Sequence, residues 1–133
     1  MNNASWFFAI FCLFADYLSL NDCELEGPLP SELGNLWNMT RLQMHSNYFE
    51  GTIPTTFGMM SNLDFLTLEG NLLSGKVPES LCNLRIPEGV DPEDAKPGKA
   101  LRQLTVDCYN ERSGLGFDCE IPQCCTLCRN TRD

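Results

Sequence analysis

Apolar and polar residues alternate in short bursts along this chain, and the bursts return at a fixed spacing. Leu18-Ser19-Leu20, Leu42-Gln43-Met44 and Leu66-Thr67-Leu68 each read apolar, polar, apolar, and each begins 24 residues after the one before. Alternation is strand period, so the two apolar members of each triplet face inward and the middle one outward. Other positions keep the same step. Cys23, Asn47 and Asn71 line up, as do Leu25, Phe49 and Leu73, then Gly27, Gly51 and Gly75, then Leu29, Ile53 and Val77, then Pro30, Pro54 and Pro78. A self-similar period of this length predicts a solenoid, because one coil cannot bury its own apolar edge and must stack on its neighbours.

Each coil has a readable course. After the strand, Asn47 and Asn71 can place side-chain amides against backbone groups that stacking would otherwise leave unpaired. Cys23 holds the equivalent place in the first coil, where a thiol fits but bonds more weakly. Gly51 permits a tight backbone path. Pro54 stops any ladder and opens a short helical turn. Phe57, Met60 and Leu63 then return the apolar side inward. The stretch from Arg85 to Ala100 breaks the period with Pro, Gly and charge, and reads as an exposed inserted loop. The alternation resumes at 101–106, where Leu104 and Val106 match Leu66 and Leu68 in a fourth, terminal coil. Parallel strands are therefore expected at Leu18–Leu20, Leu42–Met44, Leu66–Leu68 and Leu104–Val106.

The pattern LxLxx(N/C)xLxGx(I/L/V)PxxLGxLxxL, carried from Leu18 to Leu84, resembles the plant-type leucine-rich repeat. Its Gly and Pro positions separate that class from other leucine-rich repeats. Further on, LCNLR (81–85), LTVDC (104–108) and CCTLC (124–128) are similar to the Cys-rich caps of secreted or receptor-like leucine-rich repeat proteins of unicellular algae. The resemblance implies an α/β solenoid, a short right-handed superhelix. Its parallel strands would line the concave face, with 3-10 or irregular turns on the convex one. It divides the chain into an apolar N-terminal segment (1–15), three repeats (16–84), an inserted loop (85–100), and a terminal strand with a Cys-rich cap (101–133).

Charge narrows the partners. The net charge is −9, and residues 1–84 hold nine acids against only Arg41 and Lys76. Such a surface argues against nucleic acid and anionic membranes. It suits cationic peptides, amines or calcium-bridged polysaccharide, or serves only to keep the chain soluble.

Of the eight cysteines, Cys82, Cys108, Cys119, Cys124, Cys125 and Cys128 fall in the last third. An even cluster at a loop-rich terminus reads as a disulfide-stapled cap over the solenoid's exposed end. Six cysteines allow about 15 connectivities, and the pairs stay open. The spacing CxxxxCCxxC suits tetrahedral zinc poorly, so no metal is expected. Cys12 and Cys23 read as buried apolar thiols. The run from Trp6 to Ala15 is shorter than the ~20 residues that span a bilayer. It reads as a signal or anchor, as an apolar cover for the first coil, or as the product of a truncated or mis-started chain. Membrane association through this segment or through a longer parent chain stays open.

The strand register lines outward residues into rows about 5 Å apart. The first row is Tyr17, Arg41, Phe65 and Gln103; the second is Ser19, Gln43, Thr67 and Thr105; the third is Asn21, His45, Glu69 and Asp107. Two aromatics with an arginine are a composition favoured at binding hot spots. The alternative is a Tyr and a Phe covering backbone with Arg41 stacked between them. His45, the chain's one histidine, either sits as a plain exposed imidazole or acts as a switch or ligand. No GxSxG, HExxH or P-loop motif occurs, so no catalysis and no cofactor are expected. Asn38-Met39-Thr40 is a glycosylation sequon, as is Asn3-Ala4-Ser5.

The resemblance implies a non-enzymatic recognition module, extracellular or at the cell surface, that binds protein, peptide or cell-wall glycan on its concave face. The binding residues expected there are Tyr17, Arg41, Gln43, His45, Phe65, Thr67, Glu69 and Gln103. A structural or matrix adhesion protein and a fragment of a longer leucine-rich repeat receptor are the alternatives.

Overall fold

A computed structural model of the chain describes residues 16–86, 89–95, 100–117, 124 and 127–129. In chain order its elements are β1 (Tyr17–Ser19), β2 (Glu26–Pro28), β3 (Arg41–Gln43), β4 (Tyr48–Gly51), β5 (Phe65–Thr67), β6 (Leu72–Gly75), a one-turn helix α1 (Glu79–Cys82), β7 (Gln103–Asp107), β8 (Gly116–Phe117) and β9 (Leu127–Arg129). Two parallel sheets result, one in the order β1-β3-β5-β7-β9 and the other in the order β2-β4-β6-β8.

The first sheet follows from the 24-residue alternation. Leu18, Leu42, Leu66 and Leu104 pair in register and point into the core, and the last three are wholly buried. The strands begin one residue before the expected triplets, and the backbone ladder runs on past their ends. Leu20 N–H donates to Gln43 O (2.8 Å), Met44 N–H to Thr67 O (2.9 Å) and Leu68 N–H to Thr105 O (2.9 Å).

The second sheet has no counterpart in the alternation. It forms where Gly27, Gly51 and Gly75 take φ of 88°, 82° and 97°, a region costly for any residue with a Cβ. Its pairs are offset by two residues from the repeat, so that Gly27 faces Phe49 and Gly51 faces Leu73. A slide of two residues keeps every side chain on its own face.

Between the sheets and the next coil, Pro30 and Pro54 precede 3-10 turns at Ser31–Asn35 and Thr55–Met59, and Pro78 precedes α1. Neighbouring turns meet through small residues and hydroxyls. A Cβ on Gly34 would lie 2.3 Å from Thr56 O, and one on Gly58 would lie 2.5 Å from Ser80 Cβ. Thr56 Oγ1 donates to Ser31 O and Ser80 Oγ to Thr55 O, each at 2.7 Å. Cys82 takes the place of these glycines in the third coil and bonds to Cys124, which is buried.

Two expectations change. Only part of the 85–100 stretch is open. Ile86 is buried, Arg85 bridges to Leu101, and a 3-10 turn spans Pro92–Asp94. The coil at 101–106 is also not the last strand, because β9 pairs with β7 through Thr105–Leu127 and Asp107–Arg129. A bare β7 edge would present unpaired N–H and C=O groups, and β9 covers it. Among the described residues no helix is long and apolar enough to cross a membrane, and the segment 1–15 lies outside them.

Candidate ligand-binding face

The outward side chains of the five-stranded sheet form the face. Strand pairing sets Tyr17 beside Arg41 and Arg41 beside Phe65. The Arg41 guanidinium lies 5.9 Å from the Tyr17 ring centre and 4.7 Å from that of Phe65. Both distances are in the range where a cation is attracted to a ring face. Tyr17, Thr40, Arg41, Asp64 and Phe65 line a hollow of about 220 Å³ there.

Arg102, which the sequence reading missed, lies over the same Phe65 ring at 5.3 Å. Its Nε and Nη2 both donate to the Asp64 carboxylate, whose hydrogen bonds and charge raise the guanidinium's pKa above its ordinary value. Among the described residues Arg41 has ring partners and no carboxylate. The signal for Arg102 was its place one residue before the resumed strand, where Asp64 stands in the preceding coil.

The other rows are more enclosed. Gln43 Oε1 accepts from the Tyr17 hydroxyl (2.8 Å). Thr67 is buried, and its Oγ1 shares a hydrogen bond of 2.9 Å with His45 Nδ1. Gln103 Nε2 donates to Thr105 Oγ1 (3.2 Å). Glu69 is half-buried, and its Oε2 is buried with no hydrogen-bond partner.

Behind the face, asparagine side chains tie coil to coil. Asn47 Oδ1 accepts from the N–H groups of Cys23 and Leu25, and its Nδ2 donates to Leu20 O, Met44 O and His45 O. Asn71 Oδ1 accepts from Phe49 N–H, and its Nδ2 donates to Met44 O and Leu68 O. Each amide serves its own coil and the one before it. Cys23 therefore enters this arrangement through its backbone. Its side chain is exposed, with the thiol donating to Asn21 O (3.3 Å), where a buried one was expected. Among the described residues no coil precedes the first, and none of them packs over that thiol.

The register placed Asp107 in the outward third row. It is buried, and its carboxylate accepts from the N–H groups of Gly70 and Asn71. It therefore takes the asparagine's accepting task for the coil that carries β7. That leaves His45, Glu69 and Asp107 unlike a metal trio, and among the described residues no group of three potential ligands is arranged for one.

Cys108 is disulfide-bonded, as are Cys82 and Cys124. Cys119, Cys125 and the Cys128 side chain lie outside the described residues. Asn38 is half-buried in the turn before β3, and Asn3 and Cys12 lie outside the described residues.

The family model described as Leucine Rich Repeat matches residues 16–36 and 62–84. The chain is similar to the crystal structure of a TDR receptor, with 36% identity and a TM-score of 0.53 over 56% of this chain and 13% of that one. It is also similar to the Arabidopsis receptor kinase HAESA, solved in complex with the peptide hormone IDA and the co-receptor SERK1. There the identity is 25% and the TM-score 0.53, over 68% of this chain and 13% of that one. The chain thus spans 13% of the length of either structure. No curated protein matches it. The two parallel sheets and the 3-10 turns form an α/β solenoid with stretches that match the Leucine Rich Repeat model, similar in structure to those two receptors.

Proposed function

We propose that the chain is a non-enzymatic recognition module that holds a peptide or protein ligand against the five-stranded sheet, outside the cell or at its surface. The observation that carries this reading is the row Tyr17, Arg41 and Phe65. It places an exposed guanidinium between two rings at the edge of a hollow, with its donors uncommitted to any carboxylate among the described residues. Arginine and aromatic side chains dominate binding hot spots because they combine large contact area with directed polar contact. The HAESA structure contains a peptide hormone, which supports a peptide in preference to a glycan. The Cys82–Cys124 bond supports an oxidising compartment.

Screening a displayed peptide library against the oxidised chain tests the reading. Saturable binders are expected, with affinity falling about thirtyfold or more in Arg41→Ala and in Phe65→Ala. Glu32→Ala, exposed on the turn side, serves as the control. Binders unaffected by either substitution would sink the reading. Salt-sensitive, low-specificity adsorption to wall polysaccharide would favour matrix adhesion.

A secretory route has its own check at Asn38. Expressed with its native N-terminus in a eukaryotic secretory host, the chain is expected to carry a glycan mass that Asn38→Gln removes. Secreted chain without that mass would withdraw this support.

A further inference from the structure

We propose that Glu69 is the charge-selecting contact of this face, taking an ammonium or guanidinium group presented by a basic peptide. The proposal rests on the reading that the five-stranded sheet holds the ligand. The alternation that buries Leu66 and Leu68 turns Phe65, Thr67 and Glu69 to the opposite, ligand-facing side. The Glu69 side chain is half-buried, and Oε2 is withdrawn from solvent without a hydrogen-bond partner. Buried polar atoms in folded chains are matched in the great majority of cases, so an unmatched one needs a reason.

Among the described side chains the neighbours do not supply a donor. His45, one strand away, directs Nδ1 to Thr67 Oγ1. Arg41 lies against the two rings of the first row, and Arg102 is paired with Asp64. Asp107, on the other side, is an acceptor itself and is committed to two backbone N–H groups. The missing donor comes from a partner that enters beside the half-buried side chain, with Oε2 turning outward to meet it. A cation is favoured over a neutral donor because Oε2 belongs to a carboxylate in a part of the chain that holds nine acids against Arg41 and Lys76. A carboxylate with one oxygen already withdrawn from water also discriminates more sharply than an exposed one, since a ligand without a donor leaves that oxygen unpaired.

His45 is the only histidine, so its ring C–H signals report without overlap from the segment after β3 that lies beside Glu69. The probes are N-acetyl-lysine methylamide and its uncharged counterpart N-acetyl-norleucine methylamide, titrated into the oxidised chain. The lysine probe is expected to shift the His45 signal saturably and to bind about tenfold more tightly than the norleucine probe. Glu69→Gln is expected to abolish that preference while leaving the thermal midpoint equal to or above that of the parent, because an unmatched carboxylate is removed.

Equal responses to the two probes overturn the proposal, as does a preference that survives in Glu69→Gln. A midpoint lowered by Glu69→Gln also overturns it, since that marks a carboxylate held for structure. Library peptides that depend on Arg41 and Phe65, with no lysine preference, defeat Glu69 alone and leave the recognition reading standing. A lysine preference that needs Glu69, beside library peptides indifferent to Arg41 and Phe65, keeps Glu69 and removes the first row.

Discussion

Replacing Cys82 and Cys124 together with serine is expected to lower the thermal midpoint of the oxidised protein by roughly 10–20 °C. The bond joins residues 42 apart in sequence. A closed loop of that length removes about 4 kcal/mol of chain entropy from the unfolded state in the loop-closure account. The loop encloses the stretch that breaks the period as well as β7 and β8, so losing the bond loosens the closure of that end onto the third coil. The tail has little to compensate with. Phe117 is buried, but few other large apolar residues follow Cys108. Thermal melts with and without reductant read the effect. Parent protein should lose at least as much on reduction as the double variant loses, because Cys108 is also disulfide-bonded. Equal midpoints in both conditions would remove crosslinks from the stability of this end.

The solenoid was legible because its cause is periodic. Leu18, Leu42, Leu66 and Leu104 must meet in one core, and that fixes the parallel register of the first sheet. The second sheet was not legible. Its strands are short, carry a glycine at positive φ, and pair two residues off the repeat, so neither alternation nor alignment reveals them. The strand β9 was hidden for a related reason. It is recruited by the open edge of β7, and a tail supplying one short strand shows no period.

The rows of the face could be read from the register, because cross-strand neighbours are fixed once the strands pair. What escaped lay just outside the strands. Asp64 and Arg102 precede β5 and β7, and their pairing spans the inserted loop, which interrupts the 24-residue step. Asp107 was misread because a carboxylate suggests solvent, whereas the backbone N–H groups of the preceding coil draw it inward. Cys23 was misread in the opposite sense. Its place in the alignment suggested burial, but each amide reaches back toward the coil before it, and among the described residues no coil lies before the first.

Asn47→Ala is expected to destabilise the chain by about 3 kcal/mol, and Asn62→Ala by less than about 0.5 kcal/mol. The alanine leaves the N–H groups of Cys23 and Leu25 and the carbonyls of Leu20, Met44 and His45 without their shared partner. Asn62 loses one exposed bond to Trp37 O (3.2 Å). Denaturant melts of the two variants compare them directly, and equal midpoints would discount the coil-to-coil role. Asn47→Asp separates the two halves of that role. A carboxylate can still accept from Cys23 and Leu25, but it can donate nothing to three carbonyls and sets its charge against them. It should therefore fare no better than alanine. Asp107 shows where a carboxylate does suffice. Among the described residues its partners are the N–H groups of Gly70 and Asn71, so acceptance alone is required there. An amide is needed where carbonyls as well as N–H groups must be met, and an acid serves where only N–H groups are met. A full exchange of stability in Asn47→Asp, with no loss relative to the parent, would show that acceptance alone holds the inner coils too.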